Sequence, residues 1–252
     1  MGLNQGLGVA GINTMEHVSL ADGHYVVVAA RDSSSISVLR MEVDGTLSPV
    51  DHIIDDLNTR FQHVTSLETV VLNDRAFVIA GGSDDGVSVF ELLPGGRLLI
   101  HDTMPDSFTT TLANVSAIGA MAVDGQIQVF VGSGIETGVT QFALDPGPTG
   151  TTRIGNAGAN SLVGTVTGEV LAGQAGNDTI SGGAGDDVLM DGAGQDTLIG
   201  GTGNDIFVLD ADGTYDEIRD FNPAEARIDL TAWPMLRDLG QITFTTTGNG
   251  AI

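Results

Sequence analysis

The chain contains no cysteine and no lysine: all nine of its basic residues are arginine. With no thiol, disulfides, thiolate nucleophiles and cysteine-type metal sites are excluded. A small secreted eukaryotic domain ordinarily relies on disulfides, whereas a bacterial export product can be stapled in another way. Positive charge is scarce too. Against the nine arginines stand 33 acids, a formal charge of −24 over 252 residues, and no base lies between Arg153 and Arg219. Nucleic acids and anionic membrane surfaces are held through basic patches, so neither is an expected partner. No apolar run approaches the roughly 20 residues of a membrane-spanning helix. Residues 1–13 have neither a charged n-region nor the apolar stretch of a secretory signal peptide. Any export signal is expected elsewhere than at the front.

Catalytic signatures are missing as well. The histidines (His17, His24, His52, His63 and His101) form no H-E-x-x-H, and the chain has no G-x-S-x-G. Gly6-Leu-Gly8-Val-Ala-Gly11 fits G-x-G-x-x-G, but the five residues ahead of it leave no room for the strand a dinucleotide site requires. Glu16 and Glu68 recur at equivalent places of a long repeat described below, and are read as structural rather than as a catalytic pair.

What the chain does have is a nonapeptide repeat. From Gly155 to Val208 it reads GNAGANSLV, GTVTGEVLA, GQAGNDTIS, GGAGDDVLM, DGAGQDTLI and GGTGNDIFV, converging on G-G-x-G-x-D-x-U-x, where U is a large apolar residue. The eighth position is Leu162, Leu171, Ile180, Leu189, Leu198 and Phe207, apolar in every copy. An x-U-x segment alternates as a very short strand does, and the Gly-rich hexad before it suits a tight turn. Turn, strand, turn, strand winds into a flattened right-handed coil with two repeats per circuit. Repeats n and n+2 then lie above one another, and one repeat alone buries no core.

That winding stacks Asp178 near Asp196 on one edge and Asp187 near Asp205 on the other. Carboxylates about 5 Å apart repel by about 3 kcal/mol at an effective dielectric of 20, so the coil opposes itself without a cation. Calcium accepts six to eight oxygen ligands in tolerant geometry, and Gly-rich turns expose carbonyls to complete the set; magnesium is stricter, and zinc lacks His and Cys here. Calcium is the expected cofactor. Asn160 and Glu169 stand where Asp is expected and Thr167 replaces a glycine, so the first circuit is expected to bind weakly or to act as a cap.

Residues 1–150 carry a longer repeat. MEHVSLADGHYVVVAA (15–30) aligns with LETVVLNDRAFVIAGG (67–82), and a third copy begins near Ala117. Strands are expected at 26–30, 36–43, 64–71, 76–80, 87–92, 127–131 and 139–143, split by Asp-Gly, Gly-Gly and Pro-Gly turns. The period of about 51 residues is near that of four-stranded propeller blades, yet three blades do not close a propeller of four to eight. The chain reads as part of a longer propeller, with blades assembled between chains, or a sheet of another kind, as the alternatives. After the array, Ile218, Phe221, Ile228, Leu230 and Trp233 are expected to cover the last rung, and Asp212, Asp216 and Asp220 are weaker candidates for a last calcium site. A short helix is expected over 232–239 and a strand from Gln241.

The array and the segment behind it, residues 153–240, resemble the RTX, or haemolysin-type calcium-binding repeat, family. The resemblance implies a parallel β-roll that folds on calcium, and export by a type I secretion system through an uncleaved C-terminal signal. It also implies that Asp178, Asp187, Asp196 and Asp205 are calcium ligands, helped by carbonyls of Gly173, Gly182, Gly183, Gly192, Gly200 and Gly201. The expectation is thus an all-β protein: propeller-like antiparallel blades (1–150), a right-handed parallel β-roll (151–208) and a capping segment (209–252). Functionally it is a secreted, extracellular bacterial calcium-binding protein whose blades bind a protein or glycan. The alternative is a secreted metal-dependent hydrolase with a propeller catalytic domain.

Overall fold

A computed structural model describes residues 9–147 and 149–233. The chain is all-β and divides into two compact units between Pro146 and Gly147. The first unit is three antiparallel meanders. Sheet one is β1 (Ile12–Leu20), β2 (Gly23–Ala30), β3 (Ser35–Met41) and β4 (Leu47–Ile54); sheet two is β5 (Ser66–Leu72), β6 (Arg75–Gly81), β7 (Gly86–Leu92) and β8 (Leu98–Pro105). Sheet three has β9 (Val115–Val123), β10 (Gln126–Ser133) and β11 (Val139–Leu144) among the described residues. The long sequence repeat is therefore one sheet per copy. Even the irregularities recur: the β3–β4 ladder slips at Val38/Leu39 and the β7–β8 ladder at Val89/Phe90. Two-residue turns with positive φ close the innermost hairpins, Asn73-Asp74 in sheet two and Asp124-Gly125 in sheet three, as the right-handed twist of the flanking strands requires.

The sheets stack face to face. Val18, Tyr25, Val27, Ile36 and Val38 of sheet one pack with Leu67, Val78, Phe90, Leu92 and Leu98 of sheet two, joined by Phe61 and Val64. The other face of sheet two offers Val70, Phe77, Ile79, Val87 and Val89 to Val115, Ile127, Val129, Val131 and Leu144 of sheet three. Sheet two is the middle layer, and β6 and β7 are buried along their whole length. Within it, Arg75 donates from Nε and an Nη to the two carboxylate oxygens of Glu91 at 2.6 and 2.7 Å. The outer faces of sheets one and three hold positions that the neighbouring repeat buries. Met15 is 60% exposed where Leu67, its counterpart, is 4%; Met121 is 53% exposed where Val70 is 8%.

The second unit is a parallel β-solenoid of about four turns. One sheet runs β12 (Thr149–Ile154), β14 (Gly168–Ala172), β16 (Val188–Met190), β18 (Ile206–Val208), β20 (Arg227–Asp229). The facing sheet runs β13 (Ser161–Val163), β15 (Thr179–Ala184), β17 (Thr197–Thr202), β19 (Glu217–Ile218). Ile180 pairs with Leu198 and Leu189 with Phe207, an offset of 18 residues, so two nonapeptides make one circuit. Leu171, Ile180, Leu189, Leu198 and Phe207 form the buried spine. The segment behind the array supplies two more rungs: Leu198 pairs with Ile218, and Phe207 with Ile228. Ile218, Phe221 and Ile228 cover the spine, Phe221 meeting Phe207 edge to face at 6.2 Å. Trp233 donates its indole N–H to the carbonyl of Leu209 at 3.1 Å.

All seven strands expected in the first unit are present, with ends moved by a few residues. β1, β4, β8 and β9 escape the pattern reading. They are the first or last strands of their sheets, where burial is one-sided or broken, and β4 carries Pro49 beside its ladder slip. The expected helix over 232–239, save its first two residues, and the strand from Gln241 lie outside the described residues.

Candidate metal centre

From the second repeat on, each nonapeptide turn ends in an acid that the circuits on either side must accommodate. The backbone N–H groups of Asn160, Asp178 and Asp196 donate to Oδ1 of Asp178, Asp196 and Asp216, at 2.7, 2.6 and 3.1 Å. On the opposite edge those of Glu169 and Asp187 donate to Oδ1 of Asp187 and Asp205, at 2.7 and 3.1 Å. Two ladders of acids thus climb the solenoid, each spending one carboxylate oxygen on the turn beneath it. Asp178, Asp187, Asp196 and Asp205, the four expected ligands, are all buried, between 0 and 3% exposed. The second oxygens of Asp178 and Asp196 are buried without a hydrogen-bond partner. A buried carboxylate oxygen in that condition costs a few kcal/mol unless a cation or another donor meets it.

The glycines fall into two groups. Gly173, Gly182 and Gly200 open their repeats beside the acid that closes them: a Cβ on Gly182 would collide with Oδ2 of Asp187. Gly183, Gly192 and Gly201 follow with positive φ, and a Cβ on Gly201 would overlap the carbonyl of Gly183 in the turn below. Backbone at both places lies against the acid ladder and the stacked carbonyls.

Burial dominates the electrostatics. It pushes Asp191 up to about 8 and Asp196 to about 6, with like charges nearby adding to the effect, from Asp216 and Asp210 on Asp191 and from Asp216, Asp178 and Asp212 on Asp196. Asp205 and Asp216 are raised for the same first reason. Glu169 behaves otherwise. Its burial is outweighed by hydroxyls of Thr165 and Thr167 and by the Thr165 N–H, and the net shift is downward. In the first circuit, then, hydrogen bonds take the role that a cation would take higher up.

The nonapeptide pattern did not single out Asp191. It stands at the first position of the fifth repeat, where the other five repeats have glycine. Among the described residues one group of three acids, Asp191, Asp196 and Asp216, brings ligand atoms within 4.8 Å of one another. Its signal in the sequence was the departure from the template itself, DGAGQD against GGAGDD. Asp212 and Asp220, the companion candidates, serve the backbone: Asp212 accepts from Gly194, and Asp220 from Gly200 and Gly201.

In the first unit Glu68 is raised by burial and by the nearby charge of Glu16, so the recurring acids of sheets one and two influence one another. No third acid or histidine joins them in a metal-ligating group among the described residues.

A parallel solenoid of 18-residue circuits, two acid ladders and an all-oxygen donor set defines a β-roll built for hard divalent cations. The family model of the RTX calcium-binding nonapeptide repeat, in four copies, matches residues 154–189 and 181–212. This part of the chain is similar to an RTX repeat array. No curated protein matches the chain. The orphaned buried oxygens of Asp178, Asp191 and Asp196 fit calcium, which would supply charge neutralisation to these acids when bound.

Proposed function

We propose that the β-roll is a calcium-dependent folding module of a secreted protein. The observation that carries the reading is the stack of buried acids, in which Asp178, Asp191 and Asp196 each keep a second oxygen with no hydrogen-bond partner. Asp178, Asp187, Asp196 and Asp205 are the proposed ligands, with carbonyls of Gly173, Gly182, Gly183, Gly192, Gly200 and Gly201 completing the shells. In calcium-poor cytosol the ladders repel and the segment stays extended enough for type I export. Outside, calcium near 100 times Kd adds about 2.7 kcal/mol per site, so binding energy becomes folding energy.

For the first unit the reading is a propeller-like binding or adhesion module for a protein or glycan. The apolar outer faces at Met15 and Met121 support it, since exposed apolar patches mark interaction surfaces. A metal-dependent hydrolase is the second reading, favoured by the Glu16–Glu68 pair alone.

The test is far-UV circular dichroism of the full chain titrated with calcium, then chelator. β signal is expected to grow cooperatively in micromolar to millimolar calcium, to ignore magnesium and to shift to higher calcium in Asp187→Ala. A spectrum unchanged by calcium and chelator removes the switch.

A further inference from the structure

A side chain at the first position of a nonapeptide has nowhere to go in the other repeats. At Gly155, Gly173, Gly182 and Gly200 a Cβ would run into the side-chain oxygen of the residue five places on, Asn160, Asp178, Asp187 or Asp205. The fifth repeat places an aspartate there. The outcome is a carboxylate set beside the carboxylate of Asp196, with Asp216 joining from beyond the array. Asp191 and Asp196 are each 1% exposed, and an oxygen of each is buried without a hydrogen-bond partner. Three acids converging with two orphaned oxygens make an arrangement suited to a cation.

The segment behind the array is wound around this point. Asp191 Oδ1 accepts the N–H of Asp210 at 2.9 Å as well as that of Gly192. Asp212 accepts the N–H of Gly194 at 2.6 Å. Asp216 accepts the N–H of Asp196 and stands directly ahead of β19, whose Ile218 seals the spine. Three aspartates of the cap, Asp210, Asp212 and Asp216, are thereby gathered against the acids of the fifth repeat. That docking concentrates negative charge with no base in the array to offset it.

We propose that Asp191 and Asp216 join Asp196, itself an acid of the repeating position, in a calcium site that locks the capping segment onto the last turn of the β-roll. It rests on the calcium reading of the array, and differs from it in ligand set and in consequence. A repeat site draws its acids from the repeating position of the nonapeptide; this one needs the aspartate that replaces a glycine and one from outside the array. Its loss frees residues 209–229 and exposes Phe207 while the lower turns keep their own calcium.

The experiment uses the full chain with calcium chloride as the only added ligand. Calcium stoichiometry is measured by titration calorimetry, and backbone protection by hydrogen exchange, for wild type, Asp191→Gly, Asp216→Asn and Asp187→Asn. Asp191→Gly restores the residue five other repeats already have, so it is compatible with the fold. Expected is the loss of one equivalent in Asp191→Gly and Asp216→Asn, with calcium-dependent protection of 209–229 falling at least tenfold and that of 179–184 unchanged. Asp187→Asn, on the opposite ladder, is expected to weaken the repeat sites and to leave the lock's equivalent in place. Wild type that takes up no calcium overturns the reading of the array as a whole. Wild type that binds calcium, with Asp191→Gly binding as many ions and protecting 209–229 equally, overturns the lock alone.

Discussion

At Asp191 and Asp196 burial works against the charge that the repeat presents. Their values of about 8 and about 6 in the folded chain lie above the roughly 3.9 of an unfolded aspartate. Between about pH 4 and pH 8 the cation-free folded array therefore holds more protons than the unfolded one, and stability must fall as pH rises. These groups impose no penalty at or below about pH 4, and the full penalty above the higher folded value. Thermal melts in chelator at pH 5, 6, 7 and 8 should show the array's transition moving steadily down. Calcium competes with the same protons, so the stabilisation it adds should grow over that window. A calcium-free array that gains stability toward pH 8 would contradict both statements. Asp191 also marks the limit of reading residues from a template. A consensus points to where the six copies agree, whereas the closest acid cluster arises where one departs.

Among the elements of the first unit, β6 and β7 were both legible in the sequence and are buried along their whole length. The apolar run Ala76–Ala80, and Val87–Phe90 broken only by Ser88, are what strands covered on both faces need. The strands at the sheet margins, with one covered face or a slipped ladder, leave a weaker trace. β6 and β7 are also joined by an ion pair that no pattern announces. Arg75 and Glu91 lie 16 residues apart and are 5% and 2% exposed. Removing one partner of such a pair leaves the other charge buried without its counter-ion, at a cost of about 3–5 kcal/mol. Glu91→Gln should thus lower the unfolding free energy of the first unit by about that amount in urea titrations. Replacing both residues together by Met and Leu should cost less. Equal losses in the single and double variants would show that packing, and not the stranded charge, sets the cost. In the solenoid the elements are two to six residues long, so alternation is nearly invisible within one strand. The repeat reveals them, because six copies place one apolar residue in phase.

The whole molecule divides its stability between two kinds of core. The first unit is held by wide apolar sheet faces, the second by a single-file spine of Leu171, Ile180, Leu189, Leu198 and Phe207 under two acid ladders. Calorimetry should accordingly resolve two transitions. Saturating calcium is expected to raise the second by on the order of 10 °C or more, since each kcal/mol shifts a domain of this size by about 4–8 °C. The first should stay within a degree or two. One transition moving as a whole would mean that the units unfold together.

The nonapeptide alone was sufficient for the β-roll, its 18-residue circuit, its spine and its acid ladders. A period and an in-phase apolar residue are local facts, and stacking converts them into structure without further choice. The 51-residue repeat was likewise enough to foresee repeated antiparallel sheets. Three things waited for the assembled fold: the burial of sheet two on both faces, the Arg75–Glu91 pair within it, and the meeting of Asp191 and Asp196 with Asp216. The first and last join residues from different repeats or from outside them, and the ion pair joins two strands of one repeat; the single-residue partners lie 16 to 25 positions apart. Their proximity depends on how successive turns and sheets stack, and that is settled by packing and not by the order of residues along one strand.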